Sequence, residues 1–165
     1  VLLTVADTKG TTMKQRQPGS RSGGSSGHWL PPTPEEVARA GRLGERGEAL
    51  VYRMELERVR ALGYEEPERY VVWTSRDQPG ADHDIRSIDA EGRPRWLEVK
   101  STTGIEGRFE WPRQEFEKAL RERERYELWR VYRVAGRDPV AKCFPNPAGH
   151  SRKLERPPRV CSDRR

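Results

Sequence analysis

Glu98 and Lys100 stand two residues apart in RWLEVKST, residues 95–102. The stretch alternates like a strand, so Trp96, Glu98 and Lys100 share one face and Leu97 and Val99 the other. The two charged side chains are then roughly 7 Å apart along the strand. Upstream, DIRSID (84–89) reads as a second short strand, with AEGRP as the turn between them. If that turn centres near Glu91 and Gly92, paired residue numbers sum to about 182 or 183, which sets Asp84 across from Glu98 or its neighbour. Directly opposed residues on antiparallel strands are roughly 5 Å apart. Asp84, Glu98 and Lys100 are therefore expected to converge. Two carboxylates that close repel unless a cation lies between them. A hard, oxygen-preferring ion such as Mg²⁺ or Mn²⁺ suits them and takes a substrate phosphate oxygen. Lys100 would then orient a water or help to deprotonate it. The plainer reading is a solvated strand face, which is what alternating acid and lysine usually make.

Other candidates carry weaker signals. Glu48, in GERGEALV, shares a helical face with Gly44, Val51 and Tyr52; it reads as a surface edge residue or as an extra metal ligand or water orienter. Gln114 and Glu115 open a second helix, where Glu115 favours the helix dipole. His83, beside Asp84, has no His-ligand spacing with His28 or His150 and reads as structural or solvent-facing. The chain holds no GxxxxGK[ST] loop, HExxH pair or RRM-type aromatic motif, and its GxSxG match at residues 23–27 lies in the Gly- and Ser-rich stretch, without the strand-to-helix pattern that a nucleophile elbow needs.

These residues need elements to position them. TPEE (33–36) makes a capping box with proline at the first helical position. Apolar residues from Val37 to Leu62 recur at roughly helical spacing, with Gly63 as the stop. Gly41, Gly44 and Gly47 interrupt that pattern. Either they let another backbone approach, or the helix breaks near 41; a long helix over 43–62 is expected. RYVVWTS (69–75) reads as a strand and RDQPGA as a turn. TGIEGRFEW reads as a loop that includes at most a short strand. Pro112 starts a helix with Phe116, Ala119 and Leu120 inward and Glu117 and Arg121 as an exposed i, i+4 pair. YELWRVYRV (126–134) is apolar on both faces, as a central strand would be, and VAKCF is a last strand after the GRDP turn. The expected order is α-β-β-β-α-β-β.

The chain has 165 residues, enough for one domain with one modest core, at 33% hydrophobic and 35% charged residues. That polarity implies segments outside the core. The Gly- and Ser-rich residues 1–30 and the Arg-rich residues 151–165 are expected to be disordered tails around a folded domain at 31–150. Net charge is +6. Residues 1–30 hold four basic residues and one acid, and 151–165 hold six and two. That leaves 22 basic and 23 acidic in 31–150, so the core is not a basic nucleic-acid-binding domain by net charge. Two cysteines, Cys143 and Cys161, are too few for a disulfide framework and lack any zinc-ligand spacing. No apolar run approaches a membrane span, and VLLTVADT lacks the basic start and long apolar centre of a signal peptide. A cytoplasmic protein is expected.

The segments GERGEALVYRMELERVRALGY, VVWTSRDQPGADHDIRSID, RWLEVKSTTG, GRFEWPRQEFEKAL and YELWRVYRV occur in that order. Together, over about residues 41–148, they resemble the NO VEIN C-terminal domain family, uncharacterised modules of the PD-(D/E)XK nuclease-like superfamily. DHDI and LEVKST are the most specific parts. The resemblance implies an α/β, restriction-endonuclease-like fold: a central mixed β-sheet flanked by helices. It aligns Asp84 with the first acid of the superfamily signature, Glu98 with the second, Lys100 with its lysine and Glu48 with a first-helix acid. Gln114 and Glu115 match a polar–acid pair whose role the resemblance leaves open. Many members carry Gly-Tyr where this chain has Asp82-His83, so the loop shape there departs from the family. The implied function is Mg²⁺-dependent phosphodiester hydrolysis, on DNA, in a restriction or defence setting, with an ATPase or helicase partner encoded elsewhere. The rival expectation is a catalytically inactive module that binds nucleic acid or protein on the same fold.

Overall fold

The computed structural model describes residues 31–105 and 109–151. The tails expected at 1–30 and beyond 151 lie outside the described residues. A single long helix, α1 (Pro34–Ala61), begins where the capping box requires. Thr33 accepts from the Glu36 N–H, and Glu36 accepts from the Thr33 N–H at 2.8 Å. Its amphipathic face buries Leu50, Val51 and Val59 against the sheet. The chain turns off at Gly63, whose φ of +98° suits glycine.

The expected break near residue 41 does not occur. Gly47 explains why the glycines are tolerated: a Cβ there would lie 1.9 Å from Ser101 Oγ. The helix therefore packs onto the sheet at van der Waals distance, and helix propensity is sacrificed locally for that approach. Gly41, by contrast, faces open space.

Five strands form one sheet in the order β1-β2-β3-β4-β5: β1 (Val72–Trp73), β2 (Ile85–Ile88), β3 (Pro94–Ser101), β4 (Tyr126–Tyr132) and β5 (Val140–Pro145). Only β3 and β4 run parallel. That pairing needs a crossover, supplied by α3 (Arg113–Glu122) and a 3-10 turn at Arg123–Arg125. β4 is buried from Tyr126 to Val131, as its apolar faces require.

Two expectations about local structure change. RYVVWTS is not one strand; only Val72 and Trp73 pair, after a 3-10 turn at Pro67–Arg69, and Thr74–Asp77 form a short helical turn, α2. Thr74 closes that turn by accepting from the Gln78 N–H at 2.8 Å. The pair Glu117–Arg121 is replaced by Arg113–Glu117 at 2.7 Å, while Arg121 turns toward Asp82 and Glu122. No strand forms in the described part of the 102–112 loop. A short helix, α4 (Pro147–Ser151), follows β5.

The two sheet faces bury separate clusters. One face meets α1 through Ile85, Leu97, Val99, Trp129 and Val131. The other meets α3 and α4 through Tyr126, Ala119, Ala148 and the flanking rings of Trp96, Trp111 and Phe116. The architecture is mixed α/β with helices on both faces. No helix among the described residues is long and apolar enough to cross a membrane.

Candidate metal and phosphodiester site

The hairpin register is the one the turn required. Ile85 pairs with Leu97, so numbers sum to 182 and Asp84, one residue before β2, continues opposite Glu98. The Asp84 N–H donates to the Leu97 carbonyl at 3.0 Å. Asp84 Oδ2 reaches across and accepts the Val99 N–H at 2.7 Å.

Glu98 is 2% exposed, so the solvated-face reading of RWLEVKST fails for its acid. Lys100 Nζ bridges Glu98 Oε1 at 2.6 Å and Glu115 Oε2 at 2.8 Å. Glu115, left without a defined role by the sequence, holds the lysine from the first turn of α3. Gln114 points elsewhere, donating weakly to the Gly80 carbonyl at 3.4 Å.

Glu48 enters from α1. Its Oε2 accepts from Trp73 Nε1 at 2.8 Å and Ser75 Oγ at 2.5 Å. The helical turn that replaces the end of the expected strand delivers Ser75 to this point. The Ser75 N–H in turn donates to the Asp84 carbonyl at 3.1 Å. Glu48 is thus no free surface acid; two donors fix its carboxylate close enough for its charge to act on Asp84.

His83 is buried rather than solvent-facing. Its Nε2 lies 3.0 Å from Thr74 Oγ1, and its Nδ1 lies 2.8 Å from Asp82 Oδ1. Lys118 Nζ also bonds Asp82 at 2.7 Å, which ties α3 to the loop before β2. Asp82 and His83 thereby form a bracket between loop and helix. Burial leads the lowering of the His83 pKa. Lys118 was invisible in the sequence, because only the fold brings residues 82 and 118 together.

The electrostatics follow from crowding. Burial, then the charge of Glu48, pushes Asp84 up to about 7 against the Val99 N–H and Lys100, which pull it down. Burial, then Asp84, raises Glu98 well above the carboxylate range. Burial alone would lower Lys100, but Glu98 and Glu115 outweigh it and hold the ammonium charged. The charges of Glu48 and Glu115 thus act on Asp84, and those of Asp84 and Glu115 on Glu98, so four carboxylates surround a single ammonium. Among the described residues, no three His, Cys, Asp or Glu side chains are gathered so as to hold an ion by themselves. Two carboxylates in a site with surplus negative charge do suit a cation that keeps most of its waters, as Mg²⁺ does. A cavity of about 480 Å³ opens beside Lys100, between Leu43 and Gly44 of α1 and Phe109 of the 102–112 loop.

These features define a mixed α/β domain with a buried, acid-rich cluster around one strand lysine. Within that class, the chain belongs to the family described as Protein NO VEIN, C-terminal, whose sequence model matches residues 47–144. The matched segment contains Glu48, Asp84, Glu98, Lys100 and Glu115. No match was found among curated proteins or among solved structures.

Proposed function

We propose that this domain is a Mg²⁺- or Mn²⁺-dependent phosphodiesterase of the PD-(D/E)XK, restriction-endonuclease-like type, acting on nucleic acid, with DNA as the first substrate to test. The observation that carries the reading is the convergence of Asp84, Glu98 and Lys100, with two buried carboxylates in excess of their counter-charge. Asp84 and Glu98 would hold the metal, which when bound lowers the pKa of a water and offsets charge developing on phosphorus. Lys100, kept protonated by Glu98 and Glu115, donates to the attacking water or to a phosphoryl oxygen. Glu115 sets where that ammonium lies. Glu48, fixed by Trp73 and Ser75, orients solvent at the α1 side of the cluster. The cavity beside Lys100 gives a phosphate access.

One observation favours the rival, a non-catalytic binding module: Lys100 already has two carboxylate partners and is stable without substrate. Cleavage of single- and double-stranded DNA and RNA with Mg²⁺ or Mn²⁺ separates the two. Glu98→Ala and Lys100→Ala are expected to abolish cleavage, a loss of at least about a hundredfold. Cleavage unchanged in both variants would sink the nuclease reading; binding without cleavage in the native chain would establish the rival.

A further inference from the structure

Lys100 does not stand alone on its sheet face. In the β3–β4 register it pairs with Arg130, and in the β4–β5 register Arg130 pairs with Lys142. Three cations therefore lie side by side on consecutive strands, at one level of the same face. Neighbouring strands are about 4.8 Å apart, so the row spans roughly 10 Å from the acid cluster to β5. Like charges directly opposed across strands destabilise a sheet. Glu98 and Glu115 neutralise the Lys100 end. Toward the edge, the Arg130 guanidinium is stacked 4.7 Å from the Phe109 ring centroid and 5.6 Å from that of Tyr132. Lys142 Nζ lies 6.0 Å from the same Tyr132 ring. Arg130, Phe109 and Lys100 line the one cavity that also meets Ser101 and Thr103, with Glu110 at its wall. β5 is the last strand of the sheet among the described residues, so the row ends at a sheet edge.

Cations interleaved with aromatic rings, leading from a sheet edge into a carboxylate cluster, match the chemistry of a strand with charged phosphates and stacking bases. We propose that Lys142 and Tyr132 at the sheet edge, with Phe109 and Lys100 at the cavity, carry the backbone of a single-stranded nucleic acid toward the Asp84–Glu98 cluster, while Arg130, 3% exposed, adds its charge from beneath the surface against the Phe109 and Tyr132 rings. This rests on the nucleic-acid reading above but not on cleavage. A duplex is the weaker fit, because the row is narrow and its aromatic faces serve unpaired bases.

The test uses the full chain in chelator with a labelled single-stranded oligonucleotide, reading affinity by fluorescence anisotropy across a salt series. Lys142→Glu is expected to weaken binding roughly tenfold, and Lys142→Ala to reduce the salt slope by about 0.7, one phosphate contact. Tyr132→Leu is expected to weaken binding at every salt concentration, while Arg137→Ala, an exposed arginine outside the row, leaves affinity unchanged. Both Lys142 variants binding as the native chain does, tighter binding of duplex than of single strand, or no binding by the native chain would each overturn the track. Weakened binding in Lys142→Glu with no metal-dependent cleavage by the native chain would leave the track standing and remove only the nuclease. Cleavage with native-like binding in Lys142→Glu would remove only the track.

Discussion

Glu48 and Glu55 lie seven residues apart on one side of α1, and each reaches a buried ionic cluster. The two clusters differ in balance. Glu55 accepts from Arg58 at 2.9 Å, Ser87 Oγ at 2.7 Å and Arg95 at 3.3 Å. Arg95 continues to Glu127 at 2.5 Å, and Glu127 also accepts from Trp129 Nε1. Arg58 also donates to the Ile88 carbonyl. Two acids face two arginines, with nearly every lone pair used. At the Glu48 end, four acids face one lysine. Buried charge by itself is therefore no mark of function in this domain. The uncompensated surplus is what sets the second cluster apart, because a fold by itself gains nothing from holding repelling carboxylates together.

The largest expected effect breaks the balanced cluster. Glu55→Ala removes the buried carboxylate shared by Arg58, Arg95 and Ser87, leaving Arg95 to Glu127 alone and Arg58 to the Ile88 carbonyl, and should cost about 3 kcal/mol of stability. Urea denaturation checks this. In contrast, Glu98→Gln removes a repelling charge and should leave metal-free stability at pH 8 equal or higher. A loss in Glu98→Gln as large as that in Glu55→Ala would erase the distinction between the clusters.

A smaller effect separates the two ends of α1 mechanically. Gly47→Ala drives a methyl into Ser101 at the Glu48 end and should cost about 1–3 kcal/mol. Ser101→Gly in the same chain removes the obstructing atoms and should restore part of the loss. Absence of any recovery in the double variant would show that the contact at Gly47 is not what sets the helix against β3.

The hairpin, α1 with its cap, the central strand and the meeting of Asp84 with Glu98 were legible in the sequence because they rest on local spacing and one turn. Trp73 and Ser75 were misplaced in a long strand since β-branched and aromatic composition cannot register that Thr74 would close a helical turn. Glu115 looked like a dipole residue, because its partner Lys100 is 15 positions away and meets it only after α3 crosses the sheet. The balanced cluster was invisible for the same reason: Glu55, Arg95 and Glu127 come from three separate elements. The row of Lys100, Arg130 and Lys142 needs both the parallel and the antiparallel register, and neither can be read from the chain.

The charge surplus also predicts an inverted response to pH. Asp84 and Glu98 have folded pKa values above their unfolded ones, so the folded state binds more protons and stability falls as pH rises. For Asp84 the window runs from about pH 4 to about 7. Under the proposed chemistry, Mg²⁺ should restore the lost stability above pH 7, because an ion held by Asp84 and Glu98 would favour their ionised forms.

The smallest effect sharpens that response. Glu115 raises both Asp84 and Glu98 by its charge while also holding Lys100. Glu115→Gln should therefore move the pH at which stability declines downward, with a change in stability at pH 5 of less than about 1 kcal/mol. Under the proposed chemistry it also loosens Lys100, so the rate of cleavage should fall while substrate affinity holds. Carboxyl titration by NMR reads the first effect and kcat against KM the second. A titration midpoint that stays put in Glu115→Gln would mean the acids do not act on one another. The surplus of charge at the Glu48 end would then be only nominal, and the two clusters equivalent.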